Sequence, residues 1–470
     1  MYDRSKLVED EDLSNHALPS SEFSSSQTNS SSNRHQPSHG ICFPSWISIT
    51  YTLSVMLGSG YTSLLPAIVH DTNASLVEVS ELGGHVALAS AIGKFAYGGW
   101  IVDISGALFG ACLSWFLLGV CAMVLASASS FKCVIALSCA TEFFYCPLWP
   151  AHVQWVRTSP QLAAQVERGL WQLGIASRAG SLGSQLTYGT LSGMLGWRVT
   201  QASSACFAIL CMLVLLLVGN QRRQASIGKA SLRNDEGLTG VASHETAERS
   251  ALIRDRTDGV TVRGMLLVMA SNSSFWLAAV GNGFLGVVKG TGSLFISLYL
   301  HDCTSPALGV STTTAMQLAA SFQAGIAVSV LCLGMWFVSA TASVRWRLLW
   351  TTNLVSALTL LVIAVDSLRP ATSWAHLLLR ALAFFFTGLG LGLSYYIPPG
   401  MFAISFGKEG AGVVSSFLDG TQYVLSFLIS QLVAAIFSQG DHWTGVWVLF
   451  FICYVIGSIA TAMYVNSELL

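Results

Sequence analysis

The chain has 470 residues, of which 53% are hydrophobic and only 10% are Asp, Glu, Lys or Arg, where a soluble domain carries about 25%. Charge this sparse excludes an ordinary soluble enzyme, and a net charge of −1 with no basic stripe excludes a nucleic-acid binder. The class that remains, at a mean hydropathy of +0.59, is a polytopic protein of the lipid bilayer.

In chain order, residues 1–40 read as a disordered cytoplasmic tail. Glu9, Asp10, Glu11 and Asp12 are consecutive acids, and residues 20–38 are Ser-rich. The tail has neither the apolar stretch of a cleaved signal nor the Arg of a transit peptide. Twelve apolar runs follow, near 44–69, 79–102, 105–126, 132–154, 167–191, 199–219, 265–300, 308–338, 347–366, 375–398, 411–437 and 443–465. Crossing a bilayer takes about 20 residues of helix. Backbone polar groups find no partner in lipid, so each run is expected to be an α-helix. Gly recurs at helix-packing spacing in Gly106/Gly110, Gly189/Gly193, Gly286/Gly290 and Gly388/Gly392. The hydrophilic stretch 220–263 divides the runs six and six, giving one half over 41–219, a cytoplasmic linker, and a second half over 264–470.

Lys and Arg set the topology. With both termini cytoplasmic, sixteen of the 23 fall on that side and three, Lys132, Arg198 and Arg369, on the other. The sequon Asn73-Ala74-Ser75 then faces outside or a lumen. The eleven Cys lie mostly within apolar runs without Cys-x-x-Cys or His–Cys ligand spacing, so they read as small buried hydrophobes, and no metal or cofactor is expected. Gly281-Asn282-Gly283-Phe284-Leu285-Gly286 spells a dinucleotide fingerprint, but it lies in an apolar helix and follows no strand. Glu248-Arg249-Ser250-Ala251-Leu252-Ile253 has the form of an acidic dileucine sorting signal, which leaves the plasma membrane and an endolysosomal or vacuolar membrane both open.

After the second run, Gly98-Gly99-Trp100-Ile101-Val102-Asp103-Ile104-Ser105-Gly106 resembles the loop motif of the major facilitator superfamily, with Gly99, Asp103 and Gly106 in register. Ile104, Ala107 and Leu108 stand where the motif has basic residues. Trp149-Pro150, Glu167-Arg168-Gly169, Gly196-Trp197-Arg198, Lys94 and Asp419-Gly420-Thr421 resemble that superfamily's organophosphate:phosphate antiporter, or sugar-phosphate exchanger, branch. The resemblance implies twelve helices in two pseudo-symmetric six-helix halves that rock about a central site, exchanging a phosphorylated solute for inorganic phosphate. It also implies that Lys289, in the seventh run, binds the substrate's phosphate. The branch's companion cation in the first run is absent, and Gly58 stands there.

The charges within the runs carry the mechanistic reading. A charge at mid-bilayer costs at least about 2.5–3.5 kcal/mol, so each must face a cavity or a partner. Lys289 shares a polar stripe with Asn282 and Ser293, and Arg178 shares one with Gly174, Ser181 and Gln185. Arg178 and Lys289 are candidate holders of an anion. Glu142 and Asp419 either pair with them or carry a coupled proton. Asp419 lies on a longer stripe with Ser415, Ser416, Gln422, Tyr423 and Ser426, which suits the wall of a water-filled path. Asp103 and Lys94 are expected at the loop motif's gate, and His85 with Glu81 is either an external pH-sensitive gate or a packing residue.

These observations describe an all-α secondary transporter of a small organic solute, an organic anion or a sugar or organic phosphate, with phosphate or a proton as counter- or co-ion. The alternatives are a proton-coupled carrier of a neutral solute and a non-transporting partner or sensor of the same fold. No nucleophile–base pairing or metal cluster supports an enzyme.

Overall fold

The computed structural model describes residues 46–158, 166–236, 262–407, 411–440 and 443–468, almost wholly helical. In chain order the long helices are α1 (Trp46–Thr72), α2 (Leu76–Gly93, continued through Lys94–Gly98 into Gly99–Ser105), α3 (Ala107–Ala126), α4 (Phe131–Val156), α5 (Val166–Leu195) and α6 (Trp197–Glu236). The second set comprises α7 (Ser273–Asp302), α8 (Thr312–Ser339), α9 (Ala342–Asp366), α10 (Trp374–Gly407), α11 (Ala411–Ser438) and α12 (Trp443–Glu468). Among the described residues ten of these are long and apolar enough to cross a membrane; α2 and α5, with more polar residues, pack among them. The molecule is a multi-pass, all-α membrane protein.

Local chemistry sets the boundaries. Helix α2 starts at Leu76, earlier than the hydropathy run, because Ser75 and Glu78 form a capping box: the Glu78 amide donates to Ser75 Oγ and the Ser75 amide to Glu78 Oε2. The same box holds the sequon's Ser75 hydroxyl within a three-residue turn between α1 and α2. Gly106 and Gly196 have φ of 84° and 80°, a region that side chains disfavour, and they make the corners between α2 and α3 and between α5 and α6. This accounts for Gly at both positions of the quoted motifs.

The run 265–300 is too long for one straight span, and it divides at Asn272, which accepts from the Phe275 amide and caps α7 behind a separate helix, Val262–Ser271. One expectation shifts. The linker expected from 220 begins as a continuation of α6 to Glu236, through helix formers such as Gln, Arg, Ala, Leu and Lys. Residues 1–45 and 237–261, with the Ser-rich tail and the dileucine pattern, lie outside the described residues.

The packing pairs repeat with an offset of six. Helix α1 packs on α5, α2 on α4 and α3 on α6; correspondingly α7 packs on α11, α8 on α10 and α9 on α12. The two sets meet where α2 packs on α11 and α5 on α8. Lipid gives apolar helices no net hydrophobic drive to associate, so close packing must hold them. Small residues permit it: Gly388 and Gly392 of α10 lie against the α8 backbone at Phe322 and Ile326, and Gly189 and Gly193 of α5 lie against Met316 and Thr313 of α8. At the loop end of the second set, the buried Arg380 guanidinium donates to Asp366 Oδ2 and to the carbonyls of Asp366, Arg369 and Cys303. His376 bonds the other Asp366 oxygen at 2.6 Å. This intramembrane cation is thus satisfied by structure alone.

Candidate functional site

A cavity of about 1070 Å³ enters the bundle between the two sets of helices. Its described walls come from α1, α2, α4, α5, α7, α8, α10 and α11, while α3, α6, α9 and α12 contribute none of them. The lining reaches Trp171, Val338 and Ser405 at the end where α1 begins, and there Gly174 and Gly400 face open space. At the opposite end the helices close. A Cβ on Gly193 would lie 2.6 Å from Thr313 Oγ1, and Gln317 of α8 donates to Thr190 Oγ1 of α5 at 3.3 Å. Among the described residues the cavity thus reaches the end where α1 begins, while α5 and α8 close together at the other.

Among the described residues five charged ones line it, Lys94, Glu142, Arg178, Lys289 and Asp419, three cations against two anions. Their pairing differs from the one considered from sequence, which set Asp419 and Glu142 against Arg178 and Lys289. Asp419 instead lies 3.4 Å from Lys94, joining α2 to α11, and Phe95 packs edge-on against Phe417 beside them. Glu142 accepts from the Tyr61 and Ser90 hydroxyls, each at 3.3 Å. No ion pair among the described residues involves Glu142, Arg178 or Lys289.

Arg178 is 6% exposed. Its guanidinium lies 4.3 Å from the centre of the Tyr396 ring, and Nη2 donates to Ser177 Oγ at 2.6 Å. Nε and Nη1 have no hydrogen-bond partner. The Lys289 ammonium lies 5.6 Å from the centre of the Tyr395 ring. A π-turn at Val288–Gly292 carries Lys289, and Gly290 beside it leaves room toward the cavity.

Of the other expected site residues, Asn282, Gln422 and Tyr423 line the same cavity. Asn282 and Gln422 are also engaged in packing: Asn282 Nδ2 donates to the Leu418 carbonyl at 2.9 Å, and the Tyr395 hydroxyl donates to Gln422 Oε1. His85 is exposed and absent from the cavity wall, and its Nδ1 bonds the Glu81 backbone carbonyl on its own helix at 2.7 Å, not the carboxylate. Asp103 sits on Gly99–Ser105, and its side chain lies outside the described residues.

Sequence reasoning missed the aromatic wall. Tyr51, Tyr61, Tyr145, Trp149, Tyr395 and Tyr396 all line the cavity. The Tyr395-Tyr396 pair within the apolar α10 was the available signal, since a hydroxyl in lipid needs a polar neighbour. The missing first-helix cation also has a cause. A Cβ on Gly58 would lie 2.7 Å from the Tyr145 ring, so the ring occupies the space that a longer side chain would need.

The sequence profile of the Major Facilitator Superfamily matches residues 47–423. No curated protein matches in sequence. Among solved structures the fold is similar to the nucleoside transporter NupG (TM-score 0.61, 13% identity, covering 89% of this chain and 98% of that one). It is similar also to the peptide transporter POT in complex with sulfate (TM-score 0.64, 15% identity, 90% and 94% covered). A bacterial homolog to the human lysosomal transporter Spinster, inward-facing and occupied, gives a TM-score of 0.58 at 14% identity, with 90% and 95% covered.

Proposed function

The chain belongs to the Major Facilitator Superfamily and is a secondary transporter of a small solute; on that premise we propose that the solute is an organic anion, held in the central cavity by Arg178 and Lys289. One observation carries this reading. A buried guanidinium with two nitrogens unpartnered is costly, about 1–3 kcal/mol for an unsatisfied group and more when it is charged. Among the described residues no carboxylate pairs with either cation, so a ligand anion is the partner that satisfies them.

Within that class, a phosphorylated solute exchanged for inorganic phosphate is the finer reading. It rests on the quoted motifs and on Lys289, while Tyr145 in the place of the second cation favours a site with fewer phosphate ligands than the antiporter branch has. Asp103, Lys94 and Asp419 act in gating, the last two through the bond between α2 and α11. With both termini cytoplasmic, as the Lys and Arg bias favours, the cavity faces the cytoplasm. The dileucine pattern at Glu248 is compatible with an endolysosomal or vacuolar membrane and with the plasma membrane alike.

A second reading, proton-coupled transport, is favoured by Glu142, which takes two hydroxyl hydrogen bonds and no cation. Liposomes loaded with inorganic phosphate separate the two. Exchange predicts uptake of labelled phosphate without a pH gradient, and its absence while a pH gradient drives solute uptake supports proton coupling.

A further inference from the structure

Resting on the anion reading above, we propose that the solute is zwitterionic, with an ammonium group that binds Glu142 while its anionic group binds Arg178 and Lys289. The charges of the cavity lead to this. Once Lys94 and Asp419 are paired with each other, Arg178, Lys289 and Glu142 remain, charges of both signs in one cavity and none in an ion pair among the described residues. A purely anionic ligand satisfies the two cations and leaves Glu142 facing a like charge. A ligand that carries both signs satisfies all three.

The surroundings of Glu142 fit an ammonium. Each of its oxygens accepts a single hydroxyl, from Tyr61 or Ser90, and keeps further acceptor capacity. Its half-buried side chain opens on the cavity. An ammonium has three donors and is attracted to aromatic faces, and Tyr61, Tyr145 and Tyr423 line the cavity with Glu142. Glu142 lies on α4 and Lys289 on α7, so a zwitterion would bridge the two sets of helices, as a solute that drives their rearrangement must.

Matched probes test this in the purified full chain, by shifts of the unfolding temperature and by quenching of the lining tryptophans Trp149 and Trp171. L-phenylalanine is compared with 3-phenylpropionate, and O-phosphoethanolamine with ethyl phosphate; within each pair only the amine differs. The proposal predicts that the amine tightens binding at least about tenfold in one pair or both, the size of one charge-assisted hydrogen bond. Glu142→Gln, which keeps shape and can still accept from Tyr61, should erase that difference by weakening the amine-bearing member of each pair to the level of its amine-free partner. Equal binding with and without the amine, or an amine preference that survives in Glu142→Gln, overturns the zwitterion and leaves the anion reading standing. Amine-free acids that bind equally well to Lys289→Gln and wild type overturn the anion reading itself. If no member of either pair binds, the zwitterion proposal is rejected as well.

Discussion

Arg178 of α5 lies face-on to Tyr396 of α10, 4.3 Å from the ring centre, so a cation of the first six helices packs against an aromatic ring of the second six. The contact orients the guanidinium without neutralising it. Arg380, 2% exposed, shows the contrary arrangement, with Asp366 and three backbone carbonyls taking its N–H groups. The two residues should therefore respond oppositely to removal. Arg178→Met should stabilise the empty protein by about 1–3 kcal/mol, because an unsatisfied buried group is lost, and should abolish ligand binding. Arg380→Met should destabilise it by about 3 kcal/mol, because it strands Asp366 and the carbonyls. Thermal unfolding of the two variants without ligand checks the sign of each.

Lys94 and Asp419 join α2 to α11 in this conformation. Both retain contact with solvent, so the pair is worth about 0.5–1 kcal/mol. Either Lys94→Ala or Asp419→Ala should shift the balance between the two faces about two- to fivefold, and the exchange Lys94→Asp with Asp419→Lys should restore much of it. Thiol accessibility of a cysteine placed at Gly174, which faces the open end, reads the shift.

Closure of the opposite end depends on Gly193 meeting Thr313. A Val at 193 has no room there, and overpacking of this kind costs about 1–3 kcal/mol. Gly193→Val should lower transport about tenfold or more by holding that end apart, and Gly193→Ala should be rescued by Thr313→Ala. Liposome uptake of a transported solute by the single and double variants measures both.

Tyr145 fills the space beside Gly58. Gly58→Lys alone should destabilise the protein by about 1–3 kcal/mol. Paired with Tyr145→Ala it should recover stability and bring a further cation into the cavity, raising affinity for inorganic phosphate roughly tenfold. Phosphate affinity of the double variant that does not exceed that of wild type would remove Tyr145 as a determinant of specificity.

Much of the fold was legible because lipid leaves few choices. Apolar runs must be helices, and spacing alone put Lys289, Asn282, Arg178 and Gln185 on polar stripes that line the cavity, whereas Gly106, read from its spacing to Gly110 as a helix-packing residue, meets no neighbour and makes the corner between α2 and α3. The partners were not legible. That Asp419 faces Lys94 and not Arg178 depends on how α2 packs against α11, which periodicity within one helix does not encode. Apart from the adjacent Tyr395-Tyr396 pair, the aromatic wall was hidden for the same reason, since a lone Tyr in an apolar helix reads alike at a core position and at a cavity. For His85 the four-residue spacing to Glu81 left a pH-sensitive gate and a packing residue both open, and the ring bonds the Glu81 backbone carbonyl that the same spacing supplies.

The central claim, that Arg178 and Lys289 together hold an anion, is tested most directly by the unfolding temperature of the purified protein against carboxylates, sulfonates and phosphate esters, in wild type, Arg178→Gln and Lys289→Gln. The account predicts that at least one anion class raises the wild-type transition in a concentration-dependent way and that either substitution weakens the effect about tenfold or more. An anion that stabilises wild type and both variants equally, or a wild-type protein that no anion stabilises, would contradict it.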